Sequence, residues 1–171
     1  AREEQRVVVI VEPIALYPMR DLHDEKDNGW MQIYPALDQI ISLGEVGVTG
    51  KGPLAIITYG NGHYLSQQAA KVLEEQGIET RLIDIRWIAP LPMDGILSAI
   101  DGAQKVLIVD ECRRTGGQSE ALLSMLTEHS DLPAARLAAQ DSFIATGPAY
   151  AATMPSRDSI VAAAKKLWNA S

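Results

Sequence analysis

Apolar residues in this chain fall into short blocks separated by polar and glycine-rich stretches, and the length and rhythm of each block decide what it can become. Residues 7–11, Val-Val-Val-Ile-Val, form an uninterrupted β-branched run closed by Glu12 and Pro13. Such a run predicts a strand buried on both faces of a parallel sheet. Residues 54–59, 80–85, 105–109 and 135–139 repeat the short apolar pattern and predict four more strands. Between them the period changes. Residues 64–76 place Leu65, Ala69, Val72 and Leu73 on one helical face and stop at Gly77, a residue suited to the left-handed turn that ends a helix. Pro90 and Pro92 introduce a helix over 93–100, Thr115-Gly116-Gly117 opens one that reaches His129, and Ser156 caps a last helix ending near Trp168.

Strands alternating with helices of this length imply a largely parallel sheet, right-handed crossovers and helices on both faces. Residues 45–48 add a short candidate strand, joined to Leu54 through Gly50 and Gly52, that suits an antiparallel edge. Two stretches lack rhythm. Residues 17–35 combine Pro18, the charged run from Asp21 to Asp27 and Asn28-Gly29, which favour irregular structure, and residues 142–155 read as a loop. A long irregular connector is uncommon inside a compact domain, so a boundary is expected near residues 40–50.

Composition narrows the picture. With 171 residues, 47% of them hydrophobic, the chain can bury one substantial core. The net charge of −7, from 22 acidic and 15 basic residues, offers no basic stripe for a phosphate backbone, so nucleic acid is an unexpected partner. Cys112 alone forms no internal disulfide, there is no zinc-like Cys/His spacing, and no apolar run approaches the roughly 20 residues that span a bilayer. The start, with Arg2, Glu3, Glu4 and Arg6 before the apolar run, lacks a signal-peptide pattern. A soluble, cytoplasmic protein that does not contact membranes is the expectation.

In a wound sheet, ligands and partners are met at the carboxyl ends of the strands, which draws attention to three turns. Tyr59-Gly60-Asn61-Gly62-His63 joins a strand to a helix but misses the full dinucleotide-binding spacing, because Leu65 stands where a third glycine is needed. Asp110-Glu111-Cys112-Arg113-Arg114-Thr115-Gly116-Gly117 pairs carboxylates with arginines, which suits either the orientation of a charged ligand or a solvated subunit contact. Phe143, the only phenylalanine, lies in an irregular apolar loop after Asp141, a pattern that favours an interface. Asp110, Glu111, Arg113, Arg114, Thr115, Gly116, Gly117 and Phe143 are therefore the interface and docking candidates. His23, His63 and His129 are far apart in sequence, and no catalytic triad, P-loop or metal-ligand cluster emerges.

Taken in order and spacing, residues 54–63, Asp84-Ile85-Arg86-Trp87-Ile88-Ala89-Pro90-Leu91-Pro92, and Asp110-Glu111 with Thr115-Gly116-Gly117 and Glu120 resemble the C-terminal domain of transketolase-like enzymes over residues 43–167. Within that superfamily they look most like the beta subunit of thiamine-diphosphate-dependent 2-oxo-acid dehydrogenases. The lead-in from Val7 to Tyr17 resembles the last strand and exit of the pyrimidine-binding domain that precedes it there. The resemblance implies residues 1–42 as the end of that earlier domain and residues 43–171 as a three-layer α/β/α domain, with a five-stranded, mostly parallel mixed sheet carrying one antiparallel edge.

It also implies a reaction: decarboxylation of a 2-oxo acid by thiamine diphosphate with magnesium, then acyl transfer to a lipoyl arm. The Gly-Asp-Gly and asparagine that hold the magnesium diphosphate, and the glutamate that activates the aminopyrimidine, are absent from these 171 residues. A fragment that binds no cofactor and is inactive alone is thus expected, with no catalytic, cofactor or metal residue of its own. Glu12, Asn61 and His63 become candidates for the rim of the substrate channel. The implied partners are a second copy or a heterotetramer, and the lipoyl-bearing acyltransferase core. Two rival readings are the equivalent domain of 1-deoxyxylulose-5-phosphate synthase or transketolase, and a non-catalytic scaffold that keeps the fold without the chemistry.

Overall fold

The computed structural model describes residues 5–145 and 147–170. Five strands, β1 (Gly47–Gly50), β2 (Leu54–Thr58), β3 (Thr80–Asp84), β4 (Lys105–Arg113) and β5 (Ala134–Ala139), make one sheet in the order β1-β3-β2-β4-β5. Four α-helices, α1 (Gly60–Glu75), α2 (Met93–Ala99), α3 (Gln118–His129) and α4 (Arg157–Trp168), follow them in alternation. β3, β2, β4 and β5 run parallel, and β1 pairs antiparallel with β3, with Val48 opposite Ile83.

The layers follow from the period of two along β2, all five residues of which are buried. Ala55 and Ile57 point to one face, where Ile96 of α2 and Leu122, Met125 and Leu126 of α3 pack on them. Leu54 and Ile56 point to the other, against Ala69 and Leu73 of α1 and Ile160 and Ala164 of α4. Each face therefore has its own pair of helices, and the expected three-layer α/β/α arrangement with an antiparallel edge is observed.

Several boundaries move, each for a local reason. The edge strand is Gly47–Gly50 rather than 45–48, and its neighbour is β3. Gly52 makes that crossing possible, since a Cβ there would lie 2.2 Å from the Glu79 carbonyl carbon. Helix α1 starts at Gly60, four residues earlier than the periodicity indicates. Gly60 adopts φ +55°, and a Cβ on Gly62 would lie 2.4 Å from Thr58 Oγ1, so these glycines form the first helical turn instead of a turn before it. At its far end Gly77 has φ +78°, and the Ile78 N–H returns to the Leu73 carbonyl at 2.9 Å, as the helix-stop reading requires. β4 continues to Arg113 through a register shift between Asp110 and Arg113, so residues expected in a loop lie on the strand. A short 3-10 helix, Gly147–Ala152, interrupts the loop expected at 142–155. Ser156 caps α4 as expected, in a reciprocal box with Ser159.

The predicted strand at 7–11 does not form. These residues pair with none of the five strands, and Val7 is 95% exposed. A β-branched run without a neighbouring edge has no partner for its backbone groups and gains nothing from extending. Residues 20–30, by contrast, are irregular yet seated on α1 through the buried Leu22. No helix among the described residues is long and apolar enough to cross a membrane.

Candidate functional site

The carboxyl edge of the sheet is organised by the end of β4. Because successive side chains on a strand alternate in direction, Asp110 and Glu111 serve opposite layers. Asp110 turns toward α3 and is fully buried. One of its oxygens accepts from the Ser119 N–H at 2.8 Å, in the first turn of α3, and the other accepts from the Cys112 N–H at 2.8 Å and the Tyr59 hydroxyl at 2.6 Å. The N-cap residue just before α3, Gly117, has no side chain to cap the helix, and a Cβ on it would lie 2.9 Å from Asp110 Oδ2 and 2.5 Å from the Arg113 carbonyl oxygen. The cap thus comes from the neighbouring strand, with its charge at the positive end of the helix. Burial and the bond to Asp110 raise the Tyr59 hydroxyl pKa, so Tyr59 stays a donor.

Glu111 turns toward α1. Its carboxylate accepts the Asn61 backbone N–H, and one oxygen would lie 2.8 Å from a Cβ on Gly60. Burial pushes its pKa up, with Asp110 adding to the effect and the Asn61 bond opposing it. Consecutive carboxylates thus anchor the N-termini of two helices on two faces of one sheet.

His63, one turn into α1, faces a different group. Its Nε2 lies 2.8 Å from the Gln67 amide nitrogen, its Nδ1 is enclosed without a hydrogen-bond partner among the described residues, and the Trp30 ring centre is 6.2 Å away. Burial lowers its pKa; Asp84 opposes that and Arg86 adds to it. Arg86 holds φ +50° just past β3 and pairs with Glu45 at 2.6 Å.

Of the rim candidates, Asn61 and His63 share the first turn of α1. Glu12 instead accepts the Tyr17 hydroxyl at 2.7 Å; it is its neighbour Pro13 that packs beside Gly60, 3.4 Å from where a Cβ would be. Of the docking candidates, Arg113, Arg114, Thr115 and Gly116 are exposed, and Phe143 is 92% exposed. Thr115 clamps Asp141 through its N–H at 2.8 Å and its hydroxyl at 2.6 Å, tying the β4 loop to the loop after β5. The Gly116 N–H reaches Glu120 at 3.1 Å. Asp110 differs from the other docking candidates in having no accessible surface, and its oxygens serve as an internal cap. Glu111 and Gly117 are partly enclosed. Sequence reading missed Tyr59 and Trp30. The signal for the first was present, since a tyrosine at the strand end before Gly60 lies level with the β4 carboxylates once the strands are parallel neighbours.

A magnesium diphosphate does not fit this donor set. Among the described residues no three His, Cys, Asp or Glu side chains gather where they could hold a metal, Asp110 has both oxygens committed within the domain, and Glu111 already accepts the Asn61 amide.

Fold and site together define a wound α/β domain whose carboxyl edge is closed by its own carboxylates, leaving polar side chains and an exposed loop for contacts beyond it. Residues 45–160 match the family described as transketolase, C-terminal domain, and the chain belongs to that family. It is 27% identical over 165 residues to the pyruvate dehydrogenase E1 component subunit beta of Bacillus subtilis (strain 168), covering 94% of this chain and 48% of that protein. It is 33% identical over 112 residues to the 2-oxoisovalerate dehydrogenase subunit beta of the same organism, covering 63% of this chain and 34% of that protein. The chain thus spans about half or less of the length of these relatives. Among solved structures, a split-gene transketolase described as an inactive beta4 tetramer matches with a TM-score of 0.68 at 22% identity, over 77% of this chain and 44% of that one, which is a likeness of fold.

Proposed function

We propose that this chain is the C-terminal domain of a thiamine-diphosphate-dependent 2-oxo-acid dehydrogenase component, the part that supports subunit association and partner docking rather than holding the cofactor. The observation that carries this reading is the similarity to pyruvate dehydrogenase beta subunits along 94% of the chain, on a fold whose own carboxylates are engaged in helix capping. On this reading residues 1–42 belong with a preceding pyrimidine-binding domain, whose sheet edge would receive the unpaired run at 7–11, and residues 43–171 form the C-terminal unit. Thiamine diphosphate with magnesium, supplied from other domains, would provide the electron sink for decarboxylation. The acyl group would then pass to a lipoyl arm.

The role of this chain's residues is positional. Asn61 and His63 present polar groups at the start of α1, held from behind by Glu111, and line the channel rim; Glu12 enters the rim from the lead-in. Arg113, Arg114, Thr115, Gly116 and Phe143 form the exposed corner that meets a second subunit, with Glu111 and Gly117 supporting it from within. The net charge of −7 suits a basic docking module on the acyltransferase core, since opposite potentials steer encounter.

The test is an assay of the complete gene product with its partner subunits for carbon dioxide release from pyruvate and branched-chain 2-oxo acids, with thiamine diphosphate and magnesium supplied. Cofactor-dependent decarboxylation is expected. Ketol transfer between sugar phosphates, without action on 2-oxo acids, would overturn the assignment.

A further inference from the structure

Residues 20–30 contain neither helix nor strand, yet they form a compact loop on the outside of α1. Two carboxylates organise its interior. Asp27 accepts the backbone N–H groups of Leu22 at 2.9 Å, His23 at 2.8 Å, Asp24 at 3.0 Å and Gly29 at 2.7 Å. Asp21 accepts those of Lys26 at 2.8 Å and Asn28 at 3.0 Å. The Trp30 N–H closes the loop on the Arg20 carbonyl at 2.9 Å. Six local backbone donors thus end on these two carboxylates, which gives the loop a shape of its own. The four bonds to Asp27 hold its carboxyl well below the usual carboxylate range, so the shape persists as an anion-centred fold through mild acid.

The attachments to the domain are of another kind. Leu22 is buried to 7% exposure. The Tyr64 hydroxyl donates to the Asp21 carbonyl at 2.8 Å, the Gln68 amide donates to the Leu22 carbonyl at 2.7 Å, and Lys71 lies 3.1 Å from Asp24. Trp30 sits edge-on to Tyr64 with ring centres 5.0 Å apart and turns its ring toward His63. The α1 residues named here, from His63 to Lys71, all lie within the first twelve positions of the helix, on the side that carries His63.

We propose that this loop is a clasp that positions His63, holding its imidazole in one orientation and uncharged for as long as the loop is docked on α1. The inference rests on the reading of His63 as a rim residue and deepens it. Its physical basis is hydrogen-bond accounting. With the Gln67 amide nitrogen at 2.8 Å donating to Nε2, the neutral ring carries its proton on the enclosed Nδ1. A second proton would make both nitrogens donors, one facing the Gln67 amide and the other facing no acceptor. The charged groups around the ring do not relieve this. Asp84 at the end of β3 favours the charged ring, Arg86 beside it opposes, and the Arg86 charge is shared with Glu45 at 2.6 Å; burial outweighs both. From the clasp side Trp30 contributes to that burial. Since the docked state lowers the imidazole pKa, its contribution to docking is complete above the ordinary value of about 6.5 and is lost as pH falls below it.

The experiment is a proton NMR titration of the His63 ring in the 171-residue chain, assigned by its disappearance in His63→Gln. The midpoint is expected below the ordinary imidazole value, and Trp30→Ala and Asp27→Ala are each expected to return it toward that value. Asp27 does not touch His63, so its effect reads the clasp as a unit. Unchanged amide shifts for β2 and β4 show that the core is intact in each variant. A parent midpoint at the ordinary value, or a midpoint unmoved by both substitutions, overturns the proposal; movement in Trp30→Ala alone assigns the effect to one ring and overturns the clasp. In the complete enzyme, Trp30→Ala is expected to shift the acid limb of the kcat/KM profile with the NMR midpoint. A moved midpoint with an unmoved profile keeps the clasp and removes His63 from the rim.

Discussion

Replacing Asp110 with alanine withdraws one acceptor from three donors at once. The Ser119 N–H, the Cys112 N–H and the Tyr59 hydroxyl all end on this carboxylate, at 2.8, 2.8 and 2.6 Å. The three differ in what they can recover. Cys112 is exposed, so its amide can turn to water; Ser119 is fully buried and its amide cannot; Tyr59 is half-buried and recovers in part. A buried donor left without a partner costs about 1–3 kcal/mol, and loss of a charge at a helix N-terminus adds roughly 0.3–1 kcal/mol. Relief of the carboxylate's own desolvation offsets some of this, so the expected net loss is about 3–4 kcal/mol, near the lower end for breaking a buried charged network. Against a total stability of about 5–15 kcal/mol this is a large share. Asp110→Asn should cost less, about 2 kcal/mol, because the amide keeps one acceptor oxygen but sets an N–H against a donor. Urea unfolding followed by circular dichroism measures both. The midpoint should fall with an unchanged slope in urea, and Asp110→Ala should lose more than Asp110→Asn. A loss below about 1 kcal/mol for alanine would refute the capping account.

Lys105 donates to the Leu167 and Trp168 carbonyls at 3.1 Å each and also to that of Ala170, so Lys105→Met should destabilise by about 1–2 kcal/mol and speed amide exchange in the last turn of α4 before other helices. Burial raises the Glu111 pKa in the folded state, so the charged side chain opposes folding: stability should rise as pH falls through the raised value and level off below the ordinary glutamate value of about 4.5. Glu111→Gln, which keeps a carbonyl for the Asn61 amide, should therefore match or exceed the parent in urea midpoint at pH 7, with the difference closing near pH 4.5; a clear loss at pH 7 would contradict this sign. Gly52→Ala places a methyl 2.2 Å from the Glu79 carbonyl carbon and should cost about 1–3 kcal/mol, read as a lowered urea midpoint.

Much of the architecture was legible before any coordinate because it depends on period. The buried run of β2, the stop of α1 at Gly77 and the Ser156 cap of α4 are local: a few consecutive residues state the preference and the fold honours it. The run at 7–11 shows where local preference is insufficient, since strand-forming residues make a strand only beside an edge, and none of the five strands pairs with it. The glycine turn shows a second limit. Gly60 and Gly62 read as a turn, but contact with Glu111 and Thr58 makes them the opening of a helix.

The site divides along the same line. Sequence order alone indicated that chemistry would collect at the carboxyl ends of the strands, and it singled out Asn61, His63 and the Asp110–Gly117 segment. Only the tertiary structure decided that Asp110 caps α3, that Glu111 holds α1, and that a loop some forty residues upstream brings Trp30 to His63. Those roles depend on which strand lies beside which and on how deeply each charge is buried, quantities that arise from contacts between residues distant in the chain and therefore have no local signature.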